Sequence, residues 1–414
     1  MLPNRPLPKA LLIAMTGSLF IYLAHIGITF YWLNTLLGLI SLYFLLQSES
    51  KTWFWSGFFF GLLWFWWITL SFIYYQISWA TPFVILLIGA IYGALFWLIA
   101  TTASISHDLR FTLVLKSVGL LVLSYIHPFG FDWFKPELIF VESYMGTQKW
   151  QFLLILLVLA LVHWRKNLFF MLLLLVPHHI PQRLSTLTPS NTITIVTTHI
   201  SVKDKWDKTK HAAQFNALFH AIDQAIDANK TLVILPESVF PVFLDHNRTL
   251  LKKLKQRAKK INIVTGALYW DGKTPRNSTY IFTRDGRVTV ANKVILVPFG
   301  EANPLPDFLG NWINHIFYDD AVDYKASSNL ADYTIENKRY RNAICFEATS
   351  EKLYEGNPKQ MIVLSNNGWF AHSIEPTLQR LLLQYYSQKY GTTIYNATNM
   401  TPSYKIINGK VFML

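Results

Sequence analysis

Two patterns of apolar residues divide the chain. Up to about residue 180 the apolar residues come in long runs, whereas beyond it they come in short runs separated by polar stretches. Most of the long runs approach the roughly 20 apolar residues that a helix needs to cross a bilayer. They lie at about 10–28, 30–46, 53–74, 81–104, 111–127, 151–163 and 168–181. The pattern therefore predicts a multi-span α-helical membrane domain of about seven helices over residues 1–182.

The remainder alternates between strand and helix patterns. T-L-V-I-L-P at 231–236 has the composition of a buried strand, whereas 208–229, 247–260 and 375–390 have apolar residues at helical spacing. This alternation is typical of a layered α/β domain, which we place at residues 183–414. The other predicted strands are 192–198, 261–268, the segments around Tyr280 and Val288, V-I-L-V-P at 294–298, 343–345, 361–365 and 392–396.

The distribution of charge agrees with this division and predicts an orientation. Residues 1–182 contain nine Lys/Arg, and the other twenty-eight follow Pro181. If all seven runs span, the basic residues that flank them lie on one side, which the positive-inside rule assigns to the cytoplasm. The α/β domain is then periplasmic, on a bacterial inner membrane. We expect an uncleaved anchor, since no small-residue cleavage site follows the first run. The flanking residues are Arg5, Lys9, Lys51, Arg110, Arg165 and Lys166.

The net charge of +13 narrows the class of partner. Basic proteins bind nucleic acid, but no groove-reading motif accompanies the charge here. A domain that faces an anionic bilayer benefits from the same charge. We therefore expect membrane lipids as partners and no nucleic acid.

Three predicted strand ends carry candidate chemistry. Cys345, the only cysteine in the chain, ends the strand at 343–345; Glu237 follows the strand at 231–236, and Lys293 precedes V-I-L-V-P. A thiol nucleophile needs a base for its proton and a cation for the oxyanion that it creates. Glu237 and Lys293 can supply these two functions. Taken singly, each residue also has a structural interpretation: a small buried side chain, a capping carboxylate or a solvated lysine.

The ordered motifs resemble a known family. P-E-S at 236–238, V-P-F-G-E at 297–301 and A-I-C-F-E at 343–347 resemble the Glu-Lys-Cys triad region of the nitrilase superfamily. Joined to a multi-span N-terminal half, they resemble the apolipoprotein N-acyltransferase family, with further agreement in K-W-D at 205–207 and S-N-N-G-W-F at 365–370. The resemblance implies a nitrilase-like αββα sandwich. Because the chain ends at Leu414, we expect a short form that lacks the family's usual C-terminal transmembrane helix.

The resemblance also implies a function for each residue. Cys345 would be the nucleophile, Glu237 the general base and Lys293 the oxyanion stabiliser, with Glu301 and Glu347 as supporting carboxylates. The implied substrate-binding candidates are Trp206, Asn366 and Trp369.

The implied reaction is acyl transfer through a thioester on Cys345. The donor is a phospholipid, with phosphatidylethanolamine expected, and the acceptor is the α-amine of the diacylglyceryl-cysteine of an apolipoprotein. We expect no cofactor, no metal and a monomer; His178 and His179 have no evident third ligand. Two alternatives stay open. In a membrane-tethered nitrilase-type amidase or hydrolase, water replaces the amine, and in a catalytically silent membrane scaffold Cys345 only packs.

Overall fold

The computed structural model describes residues 5–180, 192–302 and 324–414. These residues divide into two compact units, which are described separately. The predicted domain boundary near Pro181 lies outside the described residues and stays a prediction. The first unit comprises 5–128, 132–180 and 372–381, and the second comprises 129–131, 192–302, 324–371 and 382–414.

The first unit is built from apolar helices. Six of the seven apolar runs are α-helices, and the last contains the 3₁₀ helix Leu168–Leu175. Among the described residues, four helical stretches are long and apolar enough to cross a membrane: Pro6–His25, Ser50–Ile73, Ser78–Ala103 and Leu109–Gly130. The count of seven spans stays a prediction. The α-helices are α1 (Pro6–His25), α2 (Tyr31–Leu46), α3 (Ser50–Phe65), α4 (Thr81–Ala103), α5 (Leu109–Leu123) and α6 (Lys149–Arg165).

Glycine permits close packing between two of these helices. A Cβ on Gly57 of α3 would lie 2.4 Å from the carbonyl oxygen of Tyr92 and 2.7 Å from Cβ of Phe96, both on α4. Small residues at such contacts are typical of membrane helices, which associate by van der Waals packing because lipid tails are as apolar as their side chains.

The second unit contains two six-stranded mixed sheets. The first has the order β1-β2-β4-β5-β6, with β3 paired to β4, and consists of β1 (Ile193–Ile195), β2 (Leu232–Ile234), β3 (Phe240–Phe243), β4 (Asn262–Trp270), β5 (Pro275–Phe282) and β6 (Val288–Asn292). The second has the order β12-β11-β10-β9-β8-β7 and consists of β7 (Asp332–Ile335), β8 (Lys338–Ile344), β9 (Gln360–Asn366), β10 (Thr393–Asn399), β11 (Tyr404–Ile407) and β12 (Lys410–Met413).

The two sheets share one apolar core. Ile234 and Val264 from the first sheet pack with Ile362 and Leu364 from the second. Because successive strand residues point to opposite faces, Val233 and Ile263 face outward, where they pack against helices. The α/β sandwich expected from the sequence is therefore present. Its α-helices are α7 (Val202–Trp206), α8 (His211–Asp227) and α9 (Arg248–Ala258). Of helix α10 (Glu375–Tyr390), residues 382–390 belong to this unit and residues 375–381 to the first.

Two strand predictions need correction. Residues 294–298 do not form a strand after β6, because the main-chain N–H groups of Val294 and Ile295 donate to the Glu347 carboxylate instead of to a neighbouring strand. The strand predicted at 343–345 ends one residue earlier, at Ile344, because Cys345 has a φ of 53° that cannot continue an extended strand. Both departures lie at the candidate site.

Candidate active site

Glu237 follows β2 in a turn that brings two stretches of main chain into close contact. Ser238 has a φ of 48°, in the left-handed region. A Cβ added to Gly266 of β4 would lie 2.3 Å from the Ser238 nitrogen and 2.7 Å from the Glu237 Cα. Glycine is therefore required at this contact. The turn holds the Glu237 side chain in the interior, 7% exposed, where Asn277 Nδ2 donates to its Oε1 at 2.7 Å.

Lys293 follows β6 and is paired with the second predicted carboxylate. Its Nζ lies 2.7 Å from Glu301 Oε2, and the residue is 1% exposed. The same Asn277 Nδ2 that binds Glu237 also donates to Glu301 Oε1 at 2.9 Å. One side-chain amide therefore connects the two carboxylates. Since carboxylates only accept, these two bonds fix the orientation of the Asn277 amide.

Burial and neighbouring charges shift the pKa values of these groups. Burial raises the pKa of Glu237. The positive charge of Lys293 acts to lower this pKa, and the negative charge of Glu301 acts to raise it; the net shift is upward. Burial alone would lower the pKa of Lys293, but the negative charges of Glu301, Glu237 and Cys345 outweigh it, so the pKa is raised above its ordinary value. Lys293 therefore stays cationic over the physiological range, whereas Glu237 is moved towards the pH at which it can exchange a proton.

Cys345 stands where β8 passes into the 3₁₀ helix Cys345–Thr349. Its φ of 53° places it in the left-handed region, which non-glycine residues adopt at a cost of about 1 kcal/mol or more. Backbone strain of this kind clusters at functional sites. A negative charge on Cys345 acts to raise the pKa values of both Lys293 and Lys205.

Glu347 connects the Cys345 turn to the segment after Lys293. Its Oε2 accepts the main-chain N–H groups of Val294 at 2.7 Å and Ile295 at 3.0 Å, and its Oε1 accepts that of Ile344 at 2.8 Å. The side chain has no exposed surface, and burial raises its pKa to about 7 although Lys293 and the three N–H donors lower it. These contacts join the strand end before Cys345 to the segment after Lys293; the role of Glu347 as a supporting carboxylate stays a prediction.

Two residues of this cluster were missed by the sequence reasoning. Asn277 lies in an Asn-x-Ser/Thr pattern, and only its position on β5 opposite the Glu237 turn identifies it. Lys205 is the first residue of K-W-D, beside the predicted Trp206. Its Nζ donates to the main-chain oxygen of Glu237 at 3.0 Å, and the residue is 2% exposed. The K-W-D motif marks this segment, but it does not distinguish Lys205 from a surface lysine such as Lys203 on the same helix.

The three substrate-binding candidates lie in different surroundings. Trp206 ends α7 and is 45% exposed. Asn366 Oδ1 accepts from Gly368 N at 3.3 Å and from Asn399 Nδ2 at 2.8 Å, so its side chain stabilises the turn that contains half-buried Trp369. Their role in substrate binding stays a prediction.

The cluster combines the groups that acyl transfer to a thiol requires: a sulfur on a strained turn, a buried carboxylate of raised pKa and a lysine that stays charged. In the described part of the chain, no group of three or more His, Cys, Asp or Glu side chains is placed to hold a metal ion.

Comparison with known proteins covers nearly the whole chain. Residues 5–181 match the family model described as the apolipoprotein N-acyltransferase integral membrane domain. The apolipoprotein N-acyltransferase of Wolinella succinogenes is 43% identical over 406 residues, which cover 96% of this chain and 95% of that protein. The protein of the same name from Campylobacter jejuni is 35% identical over 94% of this chain and 87% of its own length.

Solved structures match the second half more distantly. A CN-hydrolase superfamily protein from Xanthomonas campestris is 14% identical, with a TM-score of 0.41 over 54% of this chain and 85% of its own. An amidase of the nitrilase superfamily from Nesterenkonia AN1 is 13% identical, with a TM-score of 0.42 over 55% of this chain and 88% of its own.

Proposed function

The chain belongs to the apolipoprotein N-acyltransferase family, and we propose that Cys345 carries the acyl chain between a phospholipid and an apolipoprotein amine. The protein is an acyltransferase of lipoprotein maturation and a bacterial membrane protein with lipid and lipoprotein substrates. The finer proposal assigns the catalytic steps to residues. It rests on the observation that one network joins the three residues: Asn277 connects Glu237 to Glu301, which holds Lys293, and Glu347 connects the segment after Lys293 to the Cys345 turn.

In the first half-reaction the thiol of Cys345 attacks an ester carbonyl of the phospholipid. Glu237 accepts the thiol proton, and Lys293 stabilises the oxyanion of the tetrahedral intermediate. The C–O bond then breaks, and Glu237 returns the proton to the departing alkoxide, which leaves as a lysophospholipid. The product on the protein is a thioester. The pairing of Lys293 with Glu301 supports this assignment, since it keeps the lysine both charged and in place.

In the second half-reaction the α-amine of a diacylglyceryl-cysteine attacks the thioester. Glu237 accepts a proton from the nitrogen, the C–S bond breaks, and the thiolate of Cys345 recovers a proton from Glu237. A thioester is well suited to this step because it is activated towards amines. The result is an amide on the lipoprotein and a regenerated thiol.

We also propose that the reaction takes place at the periplasmic face of the inner membrane. The basic residues that flank the apolar runs support this orientation through the positive-inside rule. Phosphatidylethanolamine as the donor and a monomeric state stay predictions from the family resemblance. Trp206, Asn366 and Trp369 are proposed to contact substrate, because they follow or adjoin segments that carry the site.

The intact mass of the purified protein tests the proposal. Wild type and Cys345→Ser are incubated with phosphatidylethanolamine and then with hydroxylamine, which cleaves thioesters. We expect wild type alone to gain the mass of one acyl chain and to lose it to hydroxylamine. A diacylglyceryl peptide with a free α-amine should also remove the adduct, whereas the same peptide with an acetylated amine should not.

Two results would contradict the proposal. Formation on Cys345→Ser of an adduct that hydroxylamine removes at neutral pH would exclude Cys345 as the acyl carrier, since an oxyester on the introduced serine would resist that treatment. Discharge of the adduct at the same rate with and without the amine would indicate a hydrolase in which water is the second nucleophile.

A further inference from the structure

Lys205 is a buried amine that the proposed mechanism does not use. It lies on α7, which begins where Ser201 Oγ accepts the main-chain N–H of Asp204 at 3.1 Å. From this helix the side chain reaches the Glu237 turn, where Nζ donates to the Glu237 carbonyl oxygen at 3.0 Å. The residue is 2% exposed, whereas Lys203 on the same helix is exposed.

The charge of Lys205 has no carboxylate at ion-pair distance in the described part of the chain. The nearest acidic residue in sequence, Asp204, is paired instead with Lys210 at 2.5 Å. A buried ammonium group without a paired anion is costly. Burial accordingly lowers the pKa of Lys205 to about 8, and the two charges that oppose this effect are those of Glu237 and Cys345. The available counter-charges are thus the proposed base and the proposed nucleophile.

We propose that Lys205 is a second cation of the active site, which positions Glu237 through its carbonyl oxygen and favours the thiolate form of Cys345. This inference rests on the proposed role of Cys345 as the nucleophile. An ammonium group has three N–H donors, and among the described contacts only one of them is directed, to the Glu237 oxygen. The other two are left for an anion that forms during the reaction.

The two lysines then have different functions. Lys293 is held by Glu301 at 2.7 Å and is fixed before substrate arrives, whereas the one side-chain hydrogen bond of Lys205 to the described residues goes to a neutral carbonyl oxygen. A cation that is not already neutralised by a carboxylate has the larger effect on a nearby thiol. The titratable groups around the thiol and Lys205 are Glu237, Lys293, Glu301, Glu347 and His211, whose Nε2 lies 3.1 Å from the Lys205 carbonyl oxygen.

The single cysteine makes a direct test possible, because every thiol alkylation in the full chain occurs at Cys345, and slower addition at other side chains is measured on Cys345→Ser and subtracted. The rate of iodoacetamide addition is followed by intact mass between about pH 6 and pH 10, since only the thiolate reacts. The variants are Lys205→Met, which removes charge and donor, Lys205→Gln, which keeps a donor without charge, and Lys205→Arg, which keeps charge. Lys203→Met on the same helix is the matched control.

We expect the pH midpoint of alkylation to rise by about one unit in Lys205→Met and Lys205→Gln, which corresponds to roughly tenfold slower alkylation near pH 7. Lys205→Arg and Lys203→Met should keep the wild-type midpoint. A Lys205→Gln profile that coincides with wild type would overturn the inference, since a role limited to hydrogen bonding predicts that result. If Lys205→Met does not fold, the alkylation profiles of Lys205→Gln and Lys205→Arg still show whether the positive charge lowers the pH midpoint.

The alkylation profile does not depend on acyl transfer, so the two proposals can fail separately. A hydroxylamine-labile adduct on wild type, with alkylation profiles unchanged by every Lys205 variant, would overturn only the role of Lys205. Absence of the adduct on wild type would overturn the proposed function and, with it, this inference.

Discussion

Replacement of Asn277 with alanine should move the pH dependence of acyl-enzyme formation to higher pH. The Asn277 amide donates to Glu237 at 2.7 Å and to Glu301 at 2.9 Å, and both acceptors are carboxylates. Its hydrogen bond lowers the pKa of Glu237, against the effect of burial. Without it, burial and the Glu301 charge raise that pKa further, so Glu237 holds its proton up to a higher pH. A protonated Glu237 cannot accept the proton of Cys345.

The size of the shift follows from the strength of one charge-assisted hydrogen bond. Such a bond contributes about 1.5–3 kcal/mol, and about 1.4 kcal/mol of differential stabilisation corresponds to one pKa unit. Removal of the Asn277 donor should therefore raise the apparent pKa of the acidic limb of the pH–rate profile by about one to two units. The sign is fixed, because the amide donor stabilises the ionised form of Glu237 more than the protonated form.

The assay is the single-turnover rate of acyl-enzyme formation, measured by quenched intact mass across pH. Asn262→Ala is the matched control, since Asn262 is also a buried, hydrogen-bonded asparagine. It lies at the start of β4, away from the end that pairs with Asn277, and its amide donates to Thr231 and Glu336. This control substitution should cost stability without moving the acidic limb. If folded Asn277→Ala kept the acidic limb of the wild-type pH–rate profile, either Glu237 would not be the base or its hydrogen bond with Asn277 would not control its pKa.

Three further substitutions test the surrounding structure. Glu347→Gln should lower the free energy of unfolding by about 1–3 kcal/mol, because an amide cannot accept all three main-chain N–H groups, and thermal unfolding would measure it. Burial raises the pKa of Glu347 in the folded protein to about 7, so its proton stabilises the folded state below pH 4.5, and this stabilisation is lost as the pH rises through 7. The difference in unfolding free energy between wild type and Glu347→Gln should therefore shrink between pH 5 and pH 8. A difference that stays constant with pH would contradict this. Gly266→Ala should cost about 1–3 kcal/mol and slow acylation, since its Cβ would meet the Ser238 nitrogen; unchanged kinetics would contradict the need for glycine. Glu301→Gln should slow acylation at least about tenfold by weakening the hold on Lys293, and a wild-type rate would exclude that function.

The sequence could predict the apolar helices and the reactive residues that follow buried strands. An apolar run of helical length predicts a helix whatever surrounds it, and α2, expected at 30–46, is found at Tyr31–Leu46. Helix α10, expected at 375–390, has those bounds in the structure. Glu237 and Cys345 could be singled out because a reactive side chain directly after a buried strand is unusual. These signals depend on local sequence alone.

The remainder of the site depends on contacts between distant segments. V-I-L-V-P has strand composition, but the carboxylate of Glu347, more than fifty residues away, accepts two of the N–H groups that a neighbouring strand would need. Asn277 and Lys205 gain their importance only when β5 and α7 meet the Glu237 turn. Neither periodicity nor a short motif encodes which polar side chain will reach the Glu237 turn, because that contact is formed by segments far apart in the chain.

The charges of the cluster explain why two lysines accompany two carboxylates. Glu237 and Glu301 carry two negative charges and Lys293 and Lys205 two positive ones, so these four groups sum to zero as long as Glu347, whose pKa burial raises to about 7, holds its proton. Transfer of the Cys345 proton to Glu237 moves one negative charge from carboxylate to sulfur without changing that sum. Because an uncompensated buried charge is costly, a cluster that stays neutral before and after the transfer lowers the energetic difference between the two states. Loss of Lys205 would leave the cluster negative at both stages, which favours protonation of Glu237 and opposes formation of the thiolate.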